Sequence, residues 1–187
     1  MIGTFIMQTV KPNPPLTEIA IFAGGCFWCV EKIFEDLPGV ISVVSGYIGG
    51  HTTCPSYEQV HKEKTGHKEA IQVTFNPVKI TYIQLLNAFW LNIDPFDPNG
   101  QFCDKGDSYK AVIFYTNQTQ KQMAEASKKN LKARFNEPIN VEIREASTFY
   151  PAEDYHQKYA KKNPIRYKFY RYCSKRDKRL TEIWKKK

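Results

Sequence analysis

Apolar positions along the chain fall into two periods, and the switches between them mark the elements. Ile19-Ala20-Ile21-Phe22-Ala23 predicts a short buried strand over Glu18 to Ala23. Directly after it Val30, Ile33, Phe34 and Leu37 recur at helical spacing, which predicts a helix from about Cys26 to Asp36, closed by Leu37-Pro38-Gly39. Val40 to Ile48 is rich in β-branched residues and predicts a second strand, ended by Gly49-Gly50. His51 to Gly66 has little periodicity and reads as a long loop, the kind of segment that inside a compact domain usually carries function. Over His67 to Phe75 the apolar Ala70, Ile71, Val73 and Phe75 mark a third strand, with Glu69 expected on the face opposite them.

Thr81 is placed to cap a helix carrying Ile83, Leu85, Leu86, Phe89 and Trp90. Asp94 to Gly100 breaks that pattern, and an irregular segment runs to Ser108. A fourth strand is predicted over Tyr109 to Tyr115, a long amphipathic helix over Gln118 to Phe135 and a short fifth strand over Val141 to Ile143. Glu153 to Lys161 reads as a short helix, Tyr167 to Tyr172 as an extended segment and Asp177 to Trp184 as a terminal helix. The order fits two split βαβ halves: an α+β, ferredoxin-like two-layer sandwich with an antiparallel or mixed sheet, extra helices and an irregular C-terminal tail. A single domain over 1–187 is expected, with an extended arm over 1–17 and a basic tail over 158–187.

Composition narrows this picture little: 42% hydrophobic and 25% charged residues describe an ordinary globular chain. No apolar run approaches a membrane span, and Met1 to Leu16 lacks the pattern of a secretory signal, so a cytoplasmic protein is expected. The net charge of +8 changes meaning once it is located. Lys158 to Lys187 carries 13 of the 27 basic residues against Asp177 and Glu182, so the basicity belongs to the tail and the body is mildly acidic. Tyr167, Phe169, Tyr170 and Tyr172 interleave with Arg166, Lys168 and Arg171, a pattern compatible with RNA binding. A half-buried strand alternates in the same way, and neither nucleic acid nor membrane is expected as a partner.

Five cysteines at irregular spacing, Cys26, Cys29, Cys54, Cys103 and Cys173, argue against a secreted disulfide scaffold and for reactive thiols. Cys26 falls at the predicted strand-to-helix corner, in Gly24-Gly25-Cys26-Phe27-Trp28-Cys29. The unpaired N–H groups and positive dipole end of a helix start favour a thiolate there. A free cysteine is more often a small buried hydrophobe. The two glycines, the helix start and the aromatic pair together weigh towards chemistry. Such a thiolate acting on a sulfoxide needs an apolar slot for the alkyl group and a proton donor for the departing oxygen. Phe27 and Trp28 are candidates for the slot, Glu69, Tyr57 and Tyr109 for the donors, and Asp104 for orienting one of the phenols.

Gly25-Cys26-Phe27-Trp28 with Glu31, Gly46-Tyr47-Ile48-Gly49-Gly50, Tyr57, Thr65-Gly66-His67-Lys68-Glu69-Ala70, Tyr82 and Asp104-Lys105-Gly106-Asp107-Ser108-Tyr109-Lys110 resemble the successive motifs of the peptide methionine sulfoxide reductase A family. The resemblance runs in order from about Ile19 to Tyr155. It implies an α+β fold and thiol-dependent reduction of the S epimer of methionine sulfoxide in proteins, without metal or flavin. Carried over by position, it makes Cys26 the nucleophile, Phe27 and Trp28 the methyl pocket, and Glu69 the proton donor. Tyr57 and Tyr109 become donors to the sulfoxide oxygen, with Asp104 in support. It further implies a sulfenic acid on Cys26, a disulfide with a resolving cysteine, and recycling of a monomeric enzyme by thioredoxin, or by dithiothreitol in its place. Family members commonly keep resolving cysteines near the C-terminus, which favours Cys173. Cys29, three residues along a helix from Cys26, is the alternative.

Two rival readings stay open on sequence grounds. Cys26-Phe27-Trp28-Cys29 is a C-x-x-C at a helix start, as in thioredoxin-like oxidoreductases. A zinc site is the weaker rival, because there is no second pair and His51, His61 and His67 share no ligand spacing.

Overall fold

The computed structural model describes residues 17–185; the expected arm, apart from Thr17, and the last two lysines lie outside them. A mixed six-stranded sheet forms the frame. Its strands are β1 (Glu18–Ala23), β2 (Val40–Ile48), β3 (Lys68–Phe75), β6 (Val112–Tyr115), β7 (Glu142–Glu145) and β8 (Tyr150–Pro151), in the order β7-β6-β1-β3-β2-β8. Only β6 and β7 run parallel; every other pair is antiparallel. A separate two-stranded hairpin pairs β4 (Gly100–Gln101) with β5 (Asp104–Lys105).

Helices α1 (Phe27–Glu35), α3 (Tyr82–Trp90) and α4 (Gln118–Phe135) pack on one face of the sheet, because their apolar stripes meet the inward residues of the strands. Phe22 on β1 stacks on Phe34 of α1 and Phe89 of α3, with ring centroids 5.2 and 5.1 Å apart. The other face is covered more thinly, by Ala146 and Phe149 against Ile21, Ile48, Ala70, Val112 and Phe114. α1 links β1 to β2 and α3 links β3 to β6, and each linked pair of strands encloses a strand of the other pair. Among the described residues no helix is long and apolar enough to cross a membrane.

Most predicted elements fall where the periodicity placed them, and Thr81 caps α3 through a reciprocal pair of bonds with Gln84. Four expectations need correction. The loop over His51 to Gly66 contains a short helix, α2 (Tyr57–His61), capped by Ser56 and Gln59. Tyr109 does not begin a strand; it ends a 3₁₀ turn (Asp107–Tyr109), and β6 starts three residues later. The Glu153 to Lys161 helix is reduced to turns followed by α5 (Tyr159–Lys162). Most consequentially, the tail is not irregular and Tyr167 to Tyr172 is not extended: α6 (Pro164–Cys173) and α7 (Arg176–Trp184) occupy it. The aromatic-basic alternation was ambiguous because Tyr167 and Tyr170, three apart, share the inward side of a helix, while Phe169 and Tyr172 face solvent at 70% and 84% exposure. Pro164 at the first helical position is the helix signal that decides it.

Candidate active site

The corner after β1 is built on Gly25, whose φ of +79° suits glycine and whose added Cβ would lie 2.5 Å from Gln101 Cβ. That close approach locks the β4–β5 hairpin against the corner. Fully buried Gln101 accepts from the Asp94 amide and donates to the Asp94 carbonyl, both at 2.8 Å. Cys26 caps α1, with its carbonyl accepting the first helical bond, from the Cys29 amide at 3.1 Å. Its side chain, 6% exposed, opens into a cavity of about 70 Å³.

Glu69 meets the same corner from β3. It shares a face with Ile71, Val73 and Phe75 and not the opposite one, since side chains alternate with period two, and it is therefore buried. Its carboxyl accepts from the Phe27 amide at 3.1 Å, so the first free N–H of α1 is spent on Glu69 and not on the Cys26 sulfur. Burial outweighs that bond and raises the Glu69 pKa to about 8, which leaves the carboxyl protonated at neutral pH. Burial also raises the Cys26 thiol well above its ordinary value, with contributions from Cys29 and Glu69. The thiolate expected from the helix start alone is thus opposed by desolvation.

The phenols come from the two long connections. Tyr57 opens α2, and its amide donates to Glu153, whose other oxygen accepts from the Tyr47 hydroxyl, both at 2.9 Å. Tyr109 sits on the 3₁₀ turn with its hydroxyl 3.2 Å from His61 Nδ1. Burial raises Tyr57 to about 12 and Tyr109 further, so both remain hydrogen-bond donors.

The C-terminal segment closes the site, and it contributes residues the sequence did not single out. Trp28 donates its indole N–H to His156 Nδ1 at 3.0 Å and stacks on Tyr159 with ring centroids 3.8 Å apart. Buried His156 also packs on Phe27 and Tyr57, and burial lowers its pKa, which keeps it neutral. Glu31, buried on α1, accepts from the amides of Lys158 and Tyr159 and so anchors this segment. Tyr170 of α6 stands edge-on to Trp28 and donates its hydroxyl to Asp104. Asp104 does orient a phenol, but that of Tyr170. All seven expected residues, Cys26, Phe27, Trp28, Glu69, Tyr57, Tyr109 and Asp104, line the one cavity, with Tyr170 as its eighth wall. Period-two reading of the tail hid Tyr170; its spacing of three from Tyr167 was the available signal.

The thiols divide into two groups. Cys29 is fully buried against Tyr167 and Ala160, with its amide donating to the Cys26 carbonyl one turn earlier. Cys173 is exposed at the end of α6 and lines a separate cavity of about 490 Å³ that also holds Cys103. Cys54 is exposed in the loop before α2. Among the described residues no cluster of three or more His, Cys, Asp or Glu side chains is placed to hold a metal. Buried His67 is used within its own loop, accepting from the Gly50 amide at 3.1 Å with its other ring nitrogen 2.7 Å from the Thr52 carbonyl.

Known proteins similar to this chain belong to one family. The family model described as "Peptide methionine sulfoxide reductase" matches residues 18–187. The chain is 53% identical over 169 residues to "Peptide methionine sulfoxide reductase MsrA" of Bacillus subtilis, covering 89% of this chain and 96% of that protein. It is 51% identical over 172 residues to the protein of the same name from Bacillus licheniformis, covering 91% and 95%. Its fold is similar to the reduced form of Mxr1 from Saccharomyces cerevisiae, with a TM-score of 0.76 and 29% identity over 87% of this chain and 94% of that one. A buried thiol set between aromatic walls and a carboxylic acid, on an α+β frame shared with such proteins, makes this chain an oxidoreductase belonging to the peptide methionine sulfoxide reductase family.

Proposed function

We propose that the protein reduces the S epimer of methionine sulfoxide in oxidised proteins and peptides, with Cys26 as nucleophile and Glu69 as proton donor. One observation carries the reading: the Cys26 sulfur, the Phe27 and Trp28 rings and a carboxyl raised to about 8 by burial share one small cavity. The cavity has room for a methyl sulfoxide group. Cys26 attacks the sulfoxide sulfur while Glu69 protonates the oxygen and Tyr57 and Tyr109 hydrogen-bond to it. In sum, thiol and sulfoxide become sulfenic acid and thioether, the oxygen having passed to the cysteine sulfur. Phe27 and Trp28 enclose the methyl group, and Trp28 is held for this by His156 and Tyr159.

The position of Cys29 one helical turn from Cys26, with its amide on the Cys26 carbonyl at 3.1 Å, favours Cys29 over the exposed Cys173 as the thiol that condenses with the sulfenic acid. The disulfide then passes to an external dithiol, thioredoxin or dithiothreitol, with no metal or flavin in the cycle. The reading includes a monomer in the cytoplasm. The strand order β6-β1-β3-β2, with α1 and α3 as crossovers, supports a ferredoxin-like label for the core.

The test is a reaction of reduced enzyme with an equimolar S-sulfoxide peptide in the absence of reductant, followed by peptide mapping. A bridged peptide joining Cys26 and Cys29 is expected; two unmodified thiols at these positions would contradict the proposal. Tyr170→Phe is expected to lower kcat/KM about tenfold, because it leaves Asp104 unpaired and removes a hydroxyl beside Cys26. Steady-state kinetics on the same peptide check this, and an unchanged value would place Tyr170 outside the working site.

A further inference from the structure

Helix α6 has two apolar sides, and only one of them is used. Inward, Tyr167 and Tyr170 pack with Cys29, Ala160 and Trp28. Outward, Ile165, Phe169 and Tyr172 are 83%, 70% and 84% exposed. Spacings of four and then three residues put these three on one stripe along the helix, the arrangement that ordinarily marks a covered face. Nothing among the described residues covers it.

The stripe is edged by cations. Exposed Arg166 and Lys168 stand on either side of it by their helical positions, and Lys175 and Lys178 lie beyond its C-terminal end. There Tyr172 also lines a cavity of about 620 Å³ together with Arg171, Cys173, Lys175, Asp177 and Lys178. Among the described residues no carboxylate lies within salt-bridge distance of Arg166, Lys168, Lys175 or Lys178. The two acids of segment 158–187 are spent on arginines: Arg171 holds Asp177 through two nitrogens, and Glu182 sits 3.7 Å from Arg179.

We propose that the outward face of α6 docks on an anionic lipid bilayer. Ile165, Phe169 and Tyr172 enter the headgroup boundary, and Arg166, Lys168, Lys175 and Lys178 meet lipid phosphates, one of which the cavity beside Tyr172 is wide enough to take. An apolar stripe with cations along its edges is the chemistry of a helix lying in a membrane interface, and each cation near a negative lipid surface adds to the attraction. A protein partner fits this surface less well, because lysine is depleted at protein interfaces and three of the four cations are lysines. The association is peripheral, since α6 has ten residues and offers three outward apolar side chains. It replaces the expectation of no membrane partner, which took Tyr167 to Tyr172 as an extended segment; a strand would turn Tyr167 and Phe169 to the same side, whereas the helix buries one and exposes the other. Through Tyr170 the opposite side of α6 closes the catalytic cavity, so docking brings that cavity close to the lipid surface. The inference goes beyond the sulfoxide reading and does not depend on it.

The test is co-sedimentation of the full chain with vesicles of phosphatidylglycerol and phosphatidylcholine in equal parts, and with vesicles of phosphatidylcholine alone, at about 0.1 M and about 1 M salt. Binding at the lower salt is expected to be at least about tenfold tighter to the anionic vesicles, and to fall at the higher salt. Ile165→Ser/Phe169→Ser/Tyr172→Ser, which leaves the net charge unchanged, is expected to weaken it about tenfold. Arg166→Glu/Lys168→Glu is expected to remove the preference for anionic vesicles. All five side chains are exposed and none lines the catalytic cavity, so both variants are expected to keep wild-type turnover of a soluble sulfoxide peptide with dithiothreitol. Equal binding to the two kinds of vesicle, or none, overturns the proposal. Undiminished binding of the serine variant overturns it too, by reducing the effect to adsorption of charge. Loss of thioredoxin-driven turnover in the serine variant, without vesicle binding by wild type, would give the stripe to a protein partner instead. Sedimentation uses no sulfoxide, so its failure and failure of the proposed reaction are read separately.

Discussion

Glu69→Gln is expected to slow sulfoxide reduction by about 10²–10⁴-fold while leaving the fold intact, the usual loss when a positioned proton donor is removed. The amide can still accept from the Phe27 amide at the start of α1, so the corner keeps its shape. What disappears is the proton that burial keeps on the carboxyl up to about pH 8. The acid form supplies the proton, so wild-type activity on this account falls as pH rises through about 8, and Glu69→Gln has no such limb. Stability gives an independent check with a definite sign. The folded pKa is raised above the ordinary 4.5, so the native state holds a proton the unfolded chain releases, and stability falls as pH rises from 4.5 to about 8. At pH 7 this penalty is roughly 3 kcal/mol. Denaturant unfolding of Glu69→Gln across that range is expected to lack this slope. A variant that kept its activity would remove Glu69 from the mechanism.

Cys29→Ser is expected to release a single methionine per active site and then stop with thioredoxin as reductant. The nucleophile, acid and aromatic walls are untouched, so the first reduction proceeds. The sulfenic acid then has no buried thiol beside it, because Cys173 lies exposed in another cavity with Cys103. Dithiothreitol, small enough to reach the site, is expected to restore part of the turnover. Burst and steady-state phases measured with each reductant check this. Undiminished thioredoxin-driven turnover in Cys29→Ser, together with its loss in Cys173→Ser, would return the resolving role to the tail.

Much of the site was legible because its parts are local. Gly24-Gly25-Cys26-Phe27-Trp28 announces a strand-to-helix corner by itself, and the apolar alternation of β3 delivers Glu69 to a defined place. The face on which Glu69 sits was misjudged: Ala70 and Ile71 are both apolar, so hydropathy alone did not say which parity faces α1. The C-terminal contribution was least legible, because its logic is long-range. Tyr170 matters through Asp104, Trp28 through His156, and Glu31 through the amides of Lys158 and Tyr159, partners separated by 66 residues or more. Arg176 was counted only as one of the tail's basic residues, although 1% of it is exposed. Formal charge per segment does not say which cation is buried.

The most direct measurement of the account is turnover of the separate S and R epimers of a methionine sulfoxide peptide with dithiothreitol, by wild type and by Cys26→Ser. The proposed function predicts that wild type consumes the S epimer, leaves the R epimer untouched, and loses all turnover in Cys26→Ser. Equal consumption of both epimers, or reduction that survives the loss of the Cys26 sulfur, would contradict it.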